Sequence, residues 1–216
     1  MKKNIIATSI VEAMVVLLIV MLAVTSAYDM FTKSVQVTDS NGHKLQAISM
    51  AKEWIEAMIN IRDTNWKIMP WDYKNCWNTL NYDTDCLNSN TTIYDIPNNS
   101  SFSISKDPVD YRWKLTSQSW WLYSSWSYRT NFGVWYDTDW FYTQNSTLFD
   151  PLNPLFPIFT REIKIQYLDD WYTWWAVNSD HQKIQVTSLV QWKDQSSAEN
   201  KKLELTTVLT NWRNKN

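Results

Sequence analysis

The sequence predicts an α+β protein, in which one long N-terminal helix, with a transmembrane half and an amphipathic half, packs on a C-terminal antiparallel β-sheet head. Three observations carry this expectation. Ala7 to Val24 is an apolar run holding a single carboxylate, Glu12. Leu45, Ile48, Ile55, Met58, Ile59 and Arg62 then recur at three- and four-residue steps, the period of a helix. The C-terminal part carries three runs of alternating apolar residues, the pattern of half-buried strands.

Taken in order, the chain opens on a short basic leader, Met1-Lys2-Lys3-Asn4-Ile5-Ile6-Ala7, before the apolar run. A secretory signal peptide would use Lys2 and Lys3 as its charged start and the run as its core, yet Glu12 falls between the two. A plain signal anchor would span the bilayer with roughly 20 apolar residues and its basic end inside, and it gives Glu12 no role. A lone carboxylate at a membrane edge is costly unless paired, which marks Glu12 as functional.

A third reading uses every feature. Thr8, Ser9, Ile10, Val11 and Glu12 resemble the Phe-Thr-Leu-Ile-Glu signature of type IV pilins and pseudopilins, with the spacing to the acid intact. The family has Gly before the cut and Phe or Met after it, where this chain has Ala7 and Thr8. The resemblance implies that 1–7 is a prepilin leader, with processing at Ala7 and Thr8. It further implies that 8–27 is the transmembrane and assembly half of the helix, 28–62 the amphipathic half and 63–216 a β-rich head. Cleavage leaves an amine on Thr8, and Glu12 lies four residues on, about one helical turn. In a bundle of such helices Glu12 would pair with the amine of a neighbouring subunit, because two buried charges are tolerable only when they meet. The segments Ala51 to Glu56, Ile61 to Trp66 and Leu209 to Arg213 are similar to pilin-like proteins of uncultured bacteria.

The first proline is Pro70, so the helix is expected from about Thr8 to Ile61, with Asp39-Ser40-Asn41-Gly42 as the place where it would break or kink. From Pro70 to Pro157 the chain is polar, with short strands expected at Ser101 to Lys106 and Tyr111 to Thr116 and further hairpins between. The closing strands are Phe159 to Leu168, a second marked by Ile184, Val186, Val190 and Trp192, and a third marked by Leu203, Leu205 and Leu209. Joined by loops at Asp169 to Asp180 and Asp194 to Lys201, they form an antiparallel meander whose apolar face covers the helix. Arg161 is out of pattern on the first of them.

Composition fits one exported subunit. A formal net charge of -2 gives no attraction to nucleic acid. Cys76 and Cys86 are the only cysteines, and in an exported chain they are placed to close a short loop through one disulfide; the alternative is a pair of small buried thiols. A zinc site is disfavoured because His43 and His181 lie far from them in sequence. The anomaly is 15 Trp against 2 Gly, where ordinary usage of roughly 7% would give about 15 glycines. Trp71, Trp120, Trp121, Trp126, Trp140, Trp171, Trp174 and Trp175, with Trp54, Trp113 and Trp135, read best as UGA codons that a bacterial lineage translates as glycine. Several stand where turns call for glycine. On that reading Trp126, Trp140, Trp171 and Trp174 should be exposed in turns and Trp192 more buried. The other reading is an aromatic-rich surface.

Catalytic signatures are absent: no nucleophile elbow, phosphate loop or zinc-protease helix occurs. Asp137-Thr138-Asp139-Trp140 has half the look of a calcium loop, too few ligands for one, and reads as a solvated turn. The resemblance implies a structural subunit of a type IV pilus or type II secretion-like filament, not an enzyme and without a cofactor or metal. Its expected partners are other pilin subunits, the prepilin peptidase/methylase and the inner membrane, before assembly at the cell surface. The competing reading is a membrane-anchored module whose Trp-rich head binds carbohydrate.

Overall fold

The computed structural model describes residues 10–87, 95–107, 109–117, 132–136, 142–144, 159–168, 182–193 and 200–212. The chain divides into two compact units, Met1–Lys44 and Leu45–Asn216. Helix α1 (Ile10–Ile68) contributes to both.

In the first unit α1 is apolar all round from Ile10 to Val24, and its large side chains there are exposed on every face. Such a surface is stable only inside lipid or among other apolar helices. Asp39-Ser40-Asn41-Gly42 does not break the helix, contrary to expectation. One glycine costs about 1 kcal/mol in a helix interior and no proline adds to it. One local contact also bridges the stretch: His43 Nε2 lies 4.0 Å from the Asp39 carboxylate one turn back.

In the second unit α1 ends at Ile68 rather than near Ile61. Pro70 sets the limit, since the residue before a proline avoids helical backbone. The last turns are held by Asn65, whose Nδ2 donates to Trp77 O at 3.1 Å and Thr79 O at 3.0 Å. A short helix, α2 (Tyr73–Cys76), follows.

The strands are β1 (Ser100–Lys106), β2 (Trp113–Ser117), β3 (Trp135–Tyr136), β4 (Tyr142–Thr143), β5 (Phe159–Tyr167), β6 (Lys183–Lys193) and β7 (Asn200–Thr210). They form a five-stranded antiparallel sheet in the order β2-β1-β5-β6-β7 and a small β3-β4 pair. The architecture is therefore α+β, with the meander β5-β6-β7 at its centre and edge.

One face of the sheet packs on α1. Trp54, Met58 and Ile61 of the helix share a core with Phe102, Ile104, Ile163, Ile165 and Val186. Ala47, Met50 and Ala51 meet Phe159, Val190 and Trp192 in a second cluster. Arg161, the charged residue out of pattern on β5, stands on the helix face and is 1% exposed. Its Nη1 donates to Glu53 Oε2 at 2.7 Å, and its guanidinium lies 4.0 Å from the centre of the Trp54 ring. A buried cation is tolerated there because a carboxylate and an aromatic face receive it.

Candidate functional site

Glu12 lies in the first turn of α1, exposed, where the positive end of the helix dipole favours a carboxylate. It is the single charged residue between Ile10 and Ser26. An 18-residue window of α1 has a mean hydropathy of 2.5, and the helix is long and apolar enough to cross a membrane. Roughly 27 Å of helix at 1.5 Å per residue matches a bilayer core. Among the described residues α1 is the one helix of this kind, consistent with a single-pass membrane protein. Ala7 and Thr8 lie outside the described residues.

Cys76 and Cys86 are joined by a disulfide with a Cα–Cα distance of 5.6 Å, ten residues apart in sequence. Both sulfurs are buried beside Met69, so the bridge ties the segment after α1 into its own small apolar cluster.

The two edges of the sheet differ. At the β2 edge, Asn81 takes the place of another strand. Its Nδ2 donates to Leu115 O at 2.9 Å, and Leu115 N donates to Asn81 Oδ1 at 2.8 Å. Asn81 adopts a left-handed backbone, φ 53°, which asparagine tolerates better than most residues. Tyr82 continues the seal by donating its hydroxyl to Trp113 O at 2.8 Å. Burial pushes the Tyr82 phenol up to about 12, with Arg112 nearby acting in the opposite direction. At the β7 edge, Asn211 N donates to Gln182 O at 2.9 Å, so the backbone groups of Lys202, Glu204, Thr206 and Val208 point away from β6. Among the described residues no strand pairs with them.

Inside the sheet, β1 and β5 pair only over Ser100–Phe102 and Ile163–Ile165. Beyond that point the Gln144 amide bridges them. Ile104 N donates to Gln144 Oε1 at 3.2 Å, and Gln144 Nε2 donates to Arg161 O at 2.7 Å and Phe132 O at 2.8 Å. At the β1–β2 turn, the Asp107 carboxylate accepts from Lys114 Nζ and from Val109 N, which together hold it below the usual carboxylate range; the same contact raises Lys114. Neither Asn81 nor Gln144 announces itself in the sequence, because one amide replacing a strand leaves no periodicity.

Among the described residues no cluster of three or more His, Cys, Asp or Glu could hold a metal. The Asp137–Trp140 turn lies outside them, as do Trp126, Trp140, Trp171 and Trp174. Trp192 is 5% exposed and Trp71 86% exposed. Trp54 is fully buried in helix, its Nε1 without a hydrogen-bond partner, and no described tryptophan has a positive φ. No family model, curated protein or solved structure matches the chain.

Proposed function

We propose that the chain is a pilin-like structural subunit, major or minor, of a type IV pilus or type II secretion-like filament. In this reading it is structural rather than catalytic, held first in the inner membrane and then in an extracellular filament. The observation that carries it is the helix surface from Ile10 to Val24, apolar on every face with Glu12 as its single charge. Lipid satisfies such a surface, and so does a bundle of identical helices. Only the bundle supplies Glu12 with a partner, the amine of Thr8 on a neighbouring copy after cleavage by a prepilin peptidase. The recoding of UGA as glycine belongs to the same proposal, since the pilin-like segments that this chain resembles carry glycine opposite Trp54.

Peptide mapping of the native protein tests both parts. A mature terminus at N-methylated Thr8 supports the reading, whereas an intact Met1 or a cut beyond Val24 overturns it. Tryptophan masses at Trp54 and Trp71 would end the recoding idea. Glu12→Ala should lower filament incorporation while the head keeps its fold; normal incorporation removes the pairing role.

A further inference from the structure

The face of the sheet turned away from α1 holds a groove of about 400 Å³ for which assembly through the helix has no use. Its size falls within the ~300–1,000 Å³ of small-molecule sites. Cross-strand partners build it: Lys164 of β5 beside Thr187 of β6, Gln166 beside Gln185, and Leu189 of β6 beside Glu204 of β7.

The chemistry of these side chains is specific in what it rejects. Each charge at the groove is answered by a neighbour: Lys202 Nζ lies 3.2 Å from Glu204 Oε1. The Lys164 ammonium also lies 3.9 Å from Glu162, a carboxylate that is 1% exposed and accepts from Ser101 Oγ at 2.6 Å. A lysine already answered by a buried acid is a poor anchor for phosphate or a polyanion. Gln166 and Gln185 each offer a carbonyl acceptor and an amide donor, and the Thr187 hydroxyl does both. Leu189, almost wholly buried, gives the groove an apolar floor.

Walls that donate and accept, an apolar floor and no net charge suit a ligand whose hydroxyls also donate and accept around C–H faces. We propose that this groove is a binding site for a neutral oligosaccharide. The site rests on the head alone and stands whether or not the helix assembles filaments. It also differs from stacking on tryptophan, since no described tryptophan lines it.

The test uses the full chain in detergent micelles. It is titrated with neutral hexose and N-acetylhexosamine oligosaccharides, and with sialylated oligosaccharides and heparin as anionic comparators. The expected result is saturable binding of a neutral oligosaccharide, weakened about tenfold in Gln166→Ala/Gln185→Ala, which removes two amide contacts. Thr116→Val, on the same face of β2 outside the groove, should bind like the wild type. Should the double variant lose its circular dichroism spectrum, Thr187→Val takes its place with an expected loss of about fivefold. Failure to bind any neutral oligosaccharide, preference for heparin, or undiminished binding by a folded groove variant overturns the proposal.

Discussion

Arg161 on β5 and Glu53 on α1 meet at 2.7 Å, joining the helix to the middle of the sheet across 108 residues of sequence. The two ends of this contact differ: the Arg161 side chain is 2% exposed and that of Glu53 40%. Removing the acid takes from a buried guanidinium the carboxylate that answers it. Glu53→Ala should therefore lower the unfolding free energy by about 2 kcal/mol, short of the ~3–5 kcal/mol of a wholly buried pair because water reaches Glu53. Glu53→Leu/Arg161→Met should come within about 1 kcal/mol of the wild type, since no charge is then stranded. Urea unfolding followed by tryptophan fluorescence measures both, and a double variant worse than Glu53→Ala would contradict this account.

Gln144 supplies three hydrogen bonds where β1 and β5 part. Gln144→Ala should cost about 2–3 kcal/mol through the backbone groups left without it. Amide exchange localises the effect: Ile104 N–H should exchange faster, while the amides of β6 keep their protection. Gln144→Glu should be nearly as damaging, because a carboxylate can accept from Ile104 but cannot donate to the carbonyls of Phe132 and Arg161.

Tyr82 predicts a pH dependence. Its phenol ionises near 12 in the folded protein, above the ordinary value of 10.0. The unfolded chain therefore loses this proton first, and it binds fewer protons than the native state in that interval. Stability from Tyr82 is complete below pH 10 and falls as pH rises from there toward 12. Tyrosinate absorbance of wild type against Tyr82→Phe should show one late-titrating phenol. The variant should also lose about 1 kcal/mol at neutral pH, because Trp113 O loses its donor. An ordinary titration for Tyr82 would contradict its burial at the β2 edge.

The bridge between Cys76 and Cys86 closes a short loop, for which constraint of the unfolded chain gives about 2–3 kcal/mol. Cys76→Ala/Cys86→Ala, or dithiothreitol, should lower the unfolding free energy by that amount. The helix signal in circular dichroism should persist, since α1 makes its main contacts with the sheet. A reduced protein of unchanged stability would show that the small cluster around Met69 holds without the bond.

What the sequence disclosed followed from how the physics is written in it. The apolar helix was legible because Ile10 to Val24 has no polar face, and Glu12 because it is alone there. Strands β5, β6 and β7 were legible from alternation, as in Ile184, Val186, Val190 and Trp192. Arg161 stood out of pattern because its partner is distant in sequence, and a pattern rule sees only neighbours. The far end of α1 was misjudged for a related reason: Asn65 is secured by carbonyls of Trp77 and Thr79, which lie beyond the helix. The outer groove was hidden because its Gln and Thr residues read as an ordinary solvated face. Ala7 and Thr8 stand as the resemblance to pilins left them.

Asn81 also decides which edge of the sheet is left open. Among the described residues the β7 side carries outward-pointing backbone groups, the feature on which a further strand adds. The β2 side offers no such groups at Leu115, because the amide of Asn81 already occupies them. Among the described residues β7 is thus the edge left open to strand addition, and one asparagine closes the opposite edge against it.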